Sequence, residues 1–316
     1  MSGEAGPIDV PAPRRIVYTA LIGRYEQLNE QPIAASSDID FVCFTDDPDL
    51  RSTSWSIRLI EPRFPLDSIR SARYLKVLGY QLFPDHDETL WIDNSVRLTV
   101  DPRELLGRWL ADADIALPHH SYRTSVIGEF DAVATDGYDD PARVYEQLIH
   151  YSTLRPAVLH EQPYWTALLA RRRTAAVSEA MRLWNDHILR YSRRDQLSIN
   201  FVLDAAKVAV TAVDIDNMSS EWHEWPIRVD RKWARTQDRM ADALRVPGAD
   251  IGRLENSLTL VQQQLAVLRD ENESLRGALQ SAEGAAQSAE NAARAYRSST
   301  SWRLTAPLRA FGRRRS

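Results

Sequence analysis

The 316-residue sequence is poor in cysteine, in lysine and in long apolar runs. Its one cysteine, Cys43, excludes an internal disulfide framework and a cysteine-rich zinc site, and makes a reducing compartment the simplest setting. Lysine occurs only at Lys76, Lys207 and Lys232, so a lysine inside an otherwise informative segment draws notice. No stretch approaches the ~20 apolar residues that a membrane span needs. The opening residues, MSGEAGPIDVPAPRR, contain no apolar core of the kind a secretory signal carries, so the expectation is a cytoplasmic protein. Walker-type and GxGxxG loops are missing, as are HExxH and GxSxG. A phosphate site would therefore rely on cations or a metal rather than on a glycine nest. What is present is the balance of a globular protein, 44% hydrophobic and 26% charged, with nine Trp and eleven Tyr to fill a core.

The net charge of -5 is unevenly distributed. Residues 291–316 carry seven arginines and no acid, so the preceding chain is -12. An acidic body argues against a nucleic-acid partner. Residues 1–14 read as a flexible leader. From residue 15 onward short apolar segments alternate with helical patterns. Ile16–Ile22, Asp40–Thr45, Trp55–Ile60, Thr89–Asp93 and Asp114–Pro118 read as strands. Ser68–Leu82 reads as a helix with Ile69, Ala72, Leu75, Leu78 and Leu82 on one face, and Asp101-Pro102 as a helix start. Residues 140–210 read as mostly helical. This alternation predicts an α/β fold with a mainly parallel sheet covered by helices, and ligands beyond the carboxyl ends of the strands. After a charged linker at 234–250, positions 251, 258, 265, 272 and 279, and 254, 261, 268 and 275, form a heptad pattern over 251–290. It predicts a parallel homodimeric coiled coil with Asn272 at a core position; the alternative is a lone amphipathic helix. The 291–316 tail mixes arginine with Trp302, Leu304, Leu308 and Phe311. This suits an anionic membrane surface, and a solvated end is the other reading.

Four constellations could carry chemistry. In Trp91-Ile92-Asp93-Asn94-Ser95 a strand delivers Asp93 to the sheet edge, and Ser95 adds an oxygen two residues on. The pair could share Mg2+ or Mn2+, although Asp-Asn-Ser is also ordinary turn chemistry. Arg70, Arg73 and Lys76 recur every three residues, predicting a slanting cationic stripe for a phosphate; a solvated helix face is the alternative. In Ser192-Arg-Arg-Asp195-Gln196, the last two residues could handle a proton or a sugar hydroxyl, or Ser192 or Asp195 could simply cap a helix. His223, between Trp222 and Trp225, could ligate a metal or be structural. His119-His120, following a strand, offer a further edge candidate.

The order YTALIGRYEQL, VCFTDD, the Ser68–Lys76 helix, FPDHDETLWIDNS, PHH and SRRDQLSINFVL resembles a glycosyltransferase-like family. That family was long known as a domain of unknown function and includes plant mucilage-related hexosyltransferase-like proteins. The segments are also distantly similar to GT-A family 8, glycogenin-like enzymes. The resemblance spans about Arg15 to Trp233 and implies a GT-A-like glycosyltransferase domain at 15–233. It implies that Thr19, Ala20 and Tyr25 line the nucleotide pocket, with Asp46 and Asp47 by the base or ribose. Arg70, Arg73 and Lys76 would meet the donor ribose and diphosphate. Asp93, Ser95 and His223 would hold the divalent metal, Mn2+ or Mg2+, and Asp195 and Gln196 would face sugar and acceptor. The sequence departs from the family-8 pattern in having Asp-Asn-Ser where a metal motif prefers Asp-x-Asp. The implied activity is hexosyl transfer from a nucleotide-diphosphate sugar, UDP-linked, to a glycan or lipid-linked acceptor in surface polysaccharide synthesis. The protein would work in the cytoplasm or peripherally at the inner face of the cell membrane. A non-catalytic glycan-binding or scaffolding protein with a degenerate GT-A body is the alternative.

Overall fold

A computed structural model describes residues 12–24, 26–227 and 247–304, with the side chains of 247–252 outside that description. Two compact units divide at Asp242/Ala243. The first is a mixed α/β body. Its strands β1 (Arg15–Leu21), β2 (Asp40–Thr45), β3 (Ser56–Leu59), β4 (Glu88–Ile92), β6 (Ile115–Pro118), β7 (Leu168–Arg172) and β8 (Val210–Val213) form one sheet in the order β3-β2-β1-β4-β7-β6-β8. Every pairing is parallel except the two made by β7. A small second sheet pairs β5 (Arg97–Leu98) with β9 (His223–Glu224).

The strands are apolar because both sheet faces are covered. Alternate residues sort to the two sides. Tyr18, Phe44, Trp91, Leu117 and Leu169 join one core with α1 (Ser68–Leu78), α5 (Ala175–Arg190) and α6 (Gln196–Ala206). Val17, Cys43, Leu90, Ile92 and Ala116 join the other with α2 (Pro102–Trp109). There burial pushes the Cys43 thiol up to about 12, so it is an inert packing group. A third cluster joins α3 (Val126–Thr135), α4 (Pro141–Leu154) and α6 through Phe130, Val144, Tyr151 and Phe201. Side-chain oxygens start the helices where the sequence supplies them: Asp67 for α1, Asp101 for α2, Ser125 for α3, Asp140 for α4 and Thr174 for α5.

The sequence reading of 140–210 as mostly helical omitted β7. Its LLARR segment shows no alternation, since it is buried on both sides. Its direction follows from the route of the chain. α3 and α4 return the chain to the edge it left: His119 bridges to Tyr164, and Trp165 N–H donates to the Pro118 carbonyl at 2.8 Å. β7 therefore starts at the carboxyl ends of its neighbours and runs back between them.

Helix α1 also differs from expectation. It ends at Leu78, and Gly79–Leu82 is a 3-10 turn. A Cβ on Gly79 would lie 3.1 Å from the Tyr18 ring, so glycine admits the close approach. The helix is rotated relative to the predicted face: Lys76 and Val77 are buried with Ala72 and Leu75, whereas Leu82 is 50% exposed.

The second unit contains α7 (Pro247–Ser298) and α8 (Thr300–Leu304). The heptad segment 251–290 lies within α7. Leu254, Leu258, Val261, Leu265, Leu268, Leu275 and Leu279 are all exposed. Most of the expected linker and the end of the expected tail lie outside the described residues, as do the leader up to residue 11 and Pro307. No described helix is long and apolar enough to cross a membrane.

Candidate functional site

Three separate sequence segments converge at the carboxyl edge of the central strands. β4 ends at Ile92 and presents Asp93, whose backbone N–H donates to the Ala167 carbonyl at 2.8 Å. α1 brings Arg73 and Lys76, and the turn before α6 brings Asp195. Lys76 is fully buried: its Nζ lies 2.6 Å from Asp195 Oδ2 and 3.2 Å from Asp93 Oδ1, and donates to Thr166 Oγ1 at 3.0 Å. Thr166 in turn donates to Asp195 Oδ2 at 2.9 Å, and Arg73 Nε stands 3.0 Å from Asp195 Oδ1. Trp91 Nε1 donates to Asp93 Oδ1 at 2.7 Å, and Trp184 Nε1 to the Asp195 carbonyl at 3.1 Å.

Burial works against the charge on Asp195, which is 2% exposed. Arg73, Lys76 and Arg194 outweigh that effect and hold its carboxyl well below the ordinary range. Asp93 is the more open end of the network, with its side chain 29% exposed. The cluster is thus a desolvated ion-pair chain that reaches the surface at Asp93.

The predicted cationic stripe is not a surface stripe. Lys76 turns inward to the two carboxylates, and Arg70 belongs to the scaffold. It pairs with Asp67 at 2.8 Å and donates to the carbonyls of Ile188 and Tyr191 at the end of α5. Arg73 alone of the two arginines reaches the Asp195 cluster in the contacts described. The capping alternative for Asp195 fails too: it precedes α6, but its side chain makes no cap hydrogen bond. Gln196 accepts weakly from Arg194 at 3.5 Å. The loop that carries them is held by Asp139, which accepts from Ser192 Oγ at 2.6 Å and from the Arg193 N–H at 2.8 Å.

The remaining expected site residues are distributed along the same edge. Asp46, after β2, accepts from the Gly23 N–H at 2.9 Å, and Asp47 pairs with Arg24 at 3.1 Å, tying the loops after β1 and β2 together. Gly23 and Arg24 both have positive φ there, which makes this a sharp turn. Thr19 is completely buried in β1, with no hydrogen-bond partner for Oγ1 among the described residues, and Ala20 packs on the core. Tyr25 lies outside the described residues.

Of the expected metal ligands, Asp93 and Ser95 are partly engaged and His223 wholly so. Asp93 Oδ1 already accepts from Lys76 and Trp91, and Ser95 Oγ accepts from Trp225 Nε1 at 3.1 Å. His223 is fully buried, and both its nitrogens are engaged: Nδ1 with Ser220 Oγ at 2.8 Å and Nε2 with the Asn217 carbonyl at 3.0 Å. Burial lowers its basicity, partly offset by that carbonyl. Among the described residues no three His, Cys, Asp or Glu side chains are grouped to hold a metal.

Sequence reasoning missed Thr166, Asn94 and Asn217. Asn94 accepts from the Asn29 N–H and donates to Glu26 and the Gln27 carbonyl, clamping the 26–29 segment over the edge. Asn217 accepts from the Ser121 N–H and donates to the His119 carbonyl. These neutral side chains act on groups distant in sequence, so no local pattern announces them.

Over 161 residues the chain is 28% identical to the "Probable hexosyltransferase MUCI70" of Arabidopsis thaliana, covering 48% of this chain. It spans only 27% of the length of that curated relative. Among solved structures, mouse xyloside xylosyltransferase 1 overlaps 63% of this chain and 85% of its own at a TM-score of 0.39 and 10% identity. The WbbM bifunctional glycosyltransferase overlaps 67% of this chain and 40% of its own at a TM-score of 0.35 and 14% identity. The model of the TOD1/MUCI70, glycosyltransferase-like domain matches residues 46–218, the stretch that contains Arg73, Lys76, Asp93, Thr166 and Asp195. The chain belongs to that family.

Proposed function

We propose that the body is a glycosyltransferase that moves a hexose from a nucleotide-diphosphate sugar, UDP-linked, to a glycan or lipid-linked acceptor in surface polysaccharide synthesis. The observation that carries this reading is the Arg73–Asp195–Lys76–Asp93 chain. Three segments far apart in sequence spend buried charges on one point of the sheet edge, where α/β proteins bind ligands. An ion-pair network this desolvated is weak evidence for stability alone.

In this reading Asp93 and the neighbouring loops receive the donor, and Arg73 and Arg194 supply positive charge near the leaving diphosphate. Lys76 and Thr166 fix the orientation of Asp93 and Asp195 before substrate arrives, so little reorganisation accompanies the reaction. No step is routed through a metal, because His223, one of its three expected ligands, is buried with both ring nitrogens engaged. The chain of α7 is proposed to pair with a second copy through its exposed heptad leucines, giving a parallel homodimer. The basic 291–316 segment is proposed to favour an anionic membrane surface, which would place the enzyme peripherally at the inner face.

A thermal-shift screen with UDP, GDP and their sugars, with and without Mn2+ and EDTA, tests the activity class. One nucleotide should raise the midpoint, the rise should survive EDTA, and Asp93→Ala should diminish it. No stabilisation by any nucleotide would overturn the transferase reading and favour the glycan-binding scaffold.

A further inference from the structure

Beneath the ion-pair chain lies a cation that has no part in it. Arg171, on β7, is fully buried, and among the described residues it pairs with no carboxylate. It follows Leu169 by two residues and so faces the core that holds α1 and α5. One guanidinium nitrogen donates to the Val77 carbonyl at 2.9 Å and to Met181 Sδ at 3.3 Å, and the other donates to the Tyr18 hydroxyl. The guanidinium carbon stands 4.9 Å from the centre of the Tyr80 ring and 5.8 Å from that of Tyr18. Tyr18 carries the chain onward, donating to the Lys76 carbonyl at 3.1 Å. Burial raises the Tyr18 pKa in spite of Arg171, so the phenol stays neutral and gives the cation no counter-charge.

α1 ends at Leu78, so the Lys76 and Val77 carbonyls are among those that a helix leaves open at its end. Neutral donors or water can satisfy such carbonyls. Here a lone buried charge does so, at a desolvation cost that an apolar side chain would avoid. What the charge adds is a fixed rotation. If α1 turned by one residue, the guanidinium would lose the Val77 carbonyl and stand uncompensated in the core. The rotation so retained is the one that turns Lys76 inward to Asp93 and Asp195. Arg171 pairs with Thr89, four residues before Asp93, so its backbone lies roughly 13 Å below the site. Being fully buried, it touches no substrate. We propose that Arg171 is a positioning residue for the transfer. Through Tyr18 and the end of α1 it holds Lys76, and through Lys76 the two carboxylates, in the reacting geometry. This rests on the role proposed for the Asp93–Asp195 network. A shift of about 1 Å at reacting groups costs about 100-fold in rate, whereas the loops at the edge bind donor without that constraint. Loss of Arg171 should therefore fall on turnover rather than on donor affinity.

The test uses the full-length protein and three readings: hydrolysis of UDP-glucose and UDP-galactose by water, the rise in melting midpoint with UDP, and the Trp91 indole N–H signal by NMR, assigned with Trp91→Phe. That indole donates to Asp93, and the Lys76 ammonium stands 5.9 Å from the centre of its ring. Arg171→Met should lower kcat by about 10–100-fold with the donor KM unchanged. It should shift the Trp91 signal, leave that of Trp109 in the opposite core in place, and keep the rise produced by UDP. Arg171→Lys, which keeps the charge without the fork, should recover part of the turnover. Tyr18→Phe cuts the link to the Lys76 carbonyl while filling the same space. It should give a milder form of these losses, and it carries the test if Arg171→Met does not fold. An unmoved Trp91 signal, a raised KM with kcat kept, or a turnover loss that disappears when the assay is cooled by the drop in midpoint would overturn the positioning role. Lack of UDP stabilisation in the wild type would instead overturn the transferase reading, and the Trp91 signal would still decide whether Arg171 holds Lys76.

Discussion

Replacing Lys76 by methionine keeps the length of the side chain and removes its charge and its donors. In the native protein the ammonium has no contact with solvent and meets Asp195 at 2.6 Å, Thr166 at 3.0 Å and Asp93 at 3.2 Å. Breaking a buried pair by removing one partner costs about 3–5 kcal/mol, mainly because the remaining charge stays desolvated. Two features place Lys76→Met near the lower bound. Asp195 keeps Arg73 at 3.0 Å and the Thr166 hydroxyl, and Asp93, 29% exposed, keeps the Trp91 N–H and gains water. The expected loss is thus about 3 kcal/mol. For a body of this size each kcal/mol moves the midpoint by ~2–4 °C, so the melt should fall by about 6–12 °C. Urea unfolding followed by tryptophan fluorescence gives the free energy directly, with Trp91 and Trp184 both in contact with the network. A double-mutant cycle with Asp195→Leu completes the argument. The double variant should be less destabilised than the sum of the single ones, because neither leaves the other's charge behind. A Lys76→Met loss below ~1 kcal/mol, on the scale of an exposed pair, or strict additivity, would refute the claim that this network is desolvated and coupled.

The same groups set an acid profile. Asp195 is held below its unfolded pKa of ~3.9, so its contribution is complete above about pH 4 and is lost as the pH falls further. Asp195→Asn should flatten that part of the urea-midpoint curve. His120 and His187 are pushed down to about 4 by burial, so the unfolded chain takes up their protons first. Stability should therefore decline from ~6.5 toward 4, and a flat profile in that window would contradict the burial of both rings. In the C-terminal unit, Leu265→Asp with Leu268→Asp should convert a dimer to a monomer by light scattering; an unchanged mass would refute pairing through the heptad face.

The alternation that predicted a mainly parallel sheet was legible because buried strands such as DFVCFT and ETLWI are short, apolar and bounded by turns. The convergence of Lys76, Asp93 and Asp195 could be suspected only from their motifs. Spacing by three predicted that Arg70, Arg73 and Lys76 would act together, yet only Arg73 and Lys76 meet, at Asp195, while Arg70 turns to Asp67 and the end of α5. The rotation of α1 decides this, and it depends on Gly79 admitting the Tyr18 ring and on carboxylates waiting under Lys76. Neither is encoded within the helix. His223 illustrates the converse. Flanked by tryptophans it read either as structure or as a ligand, and the Ser220 hydroxyl and Asn217 carbonyl that occupy it lie within a few residues.

The charge asymmetry of the sequence bears on how such a site could hold an anionic donor. The chain before residue 291 is -12, which repels a diphosphate at long range. A stripe of free cations would have answered that, but the cations here are largely compensated: Arg70 by Asp67, Lys76 by Asp93 and Asp195, Arg73 by Asp195. Arg73, Lys76, Asp93 and Asp195 together are neutral, and the remaining cation near Asp195, Arg194, also faces Glu129. Attraction by net charge is therefore not what the site offers. It offers fixed dipoles: Thr166 holds Lys76 and Asp195, Trp91 holds Asp93, and Trp184 holds the Asp195 backbone. Fixed dipoles favour the charge distribution of a transition state over that of free nucleotide. On that argument the buried network serves orientation, and a neutral but rigid cluster in an acidic body is consistent with catalysis rather than tight anion capture.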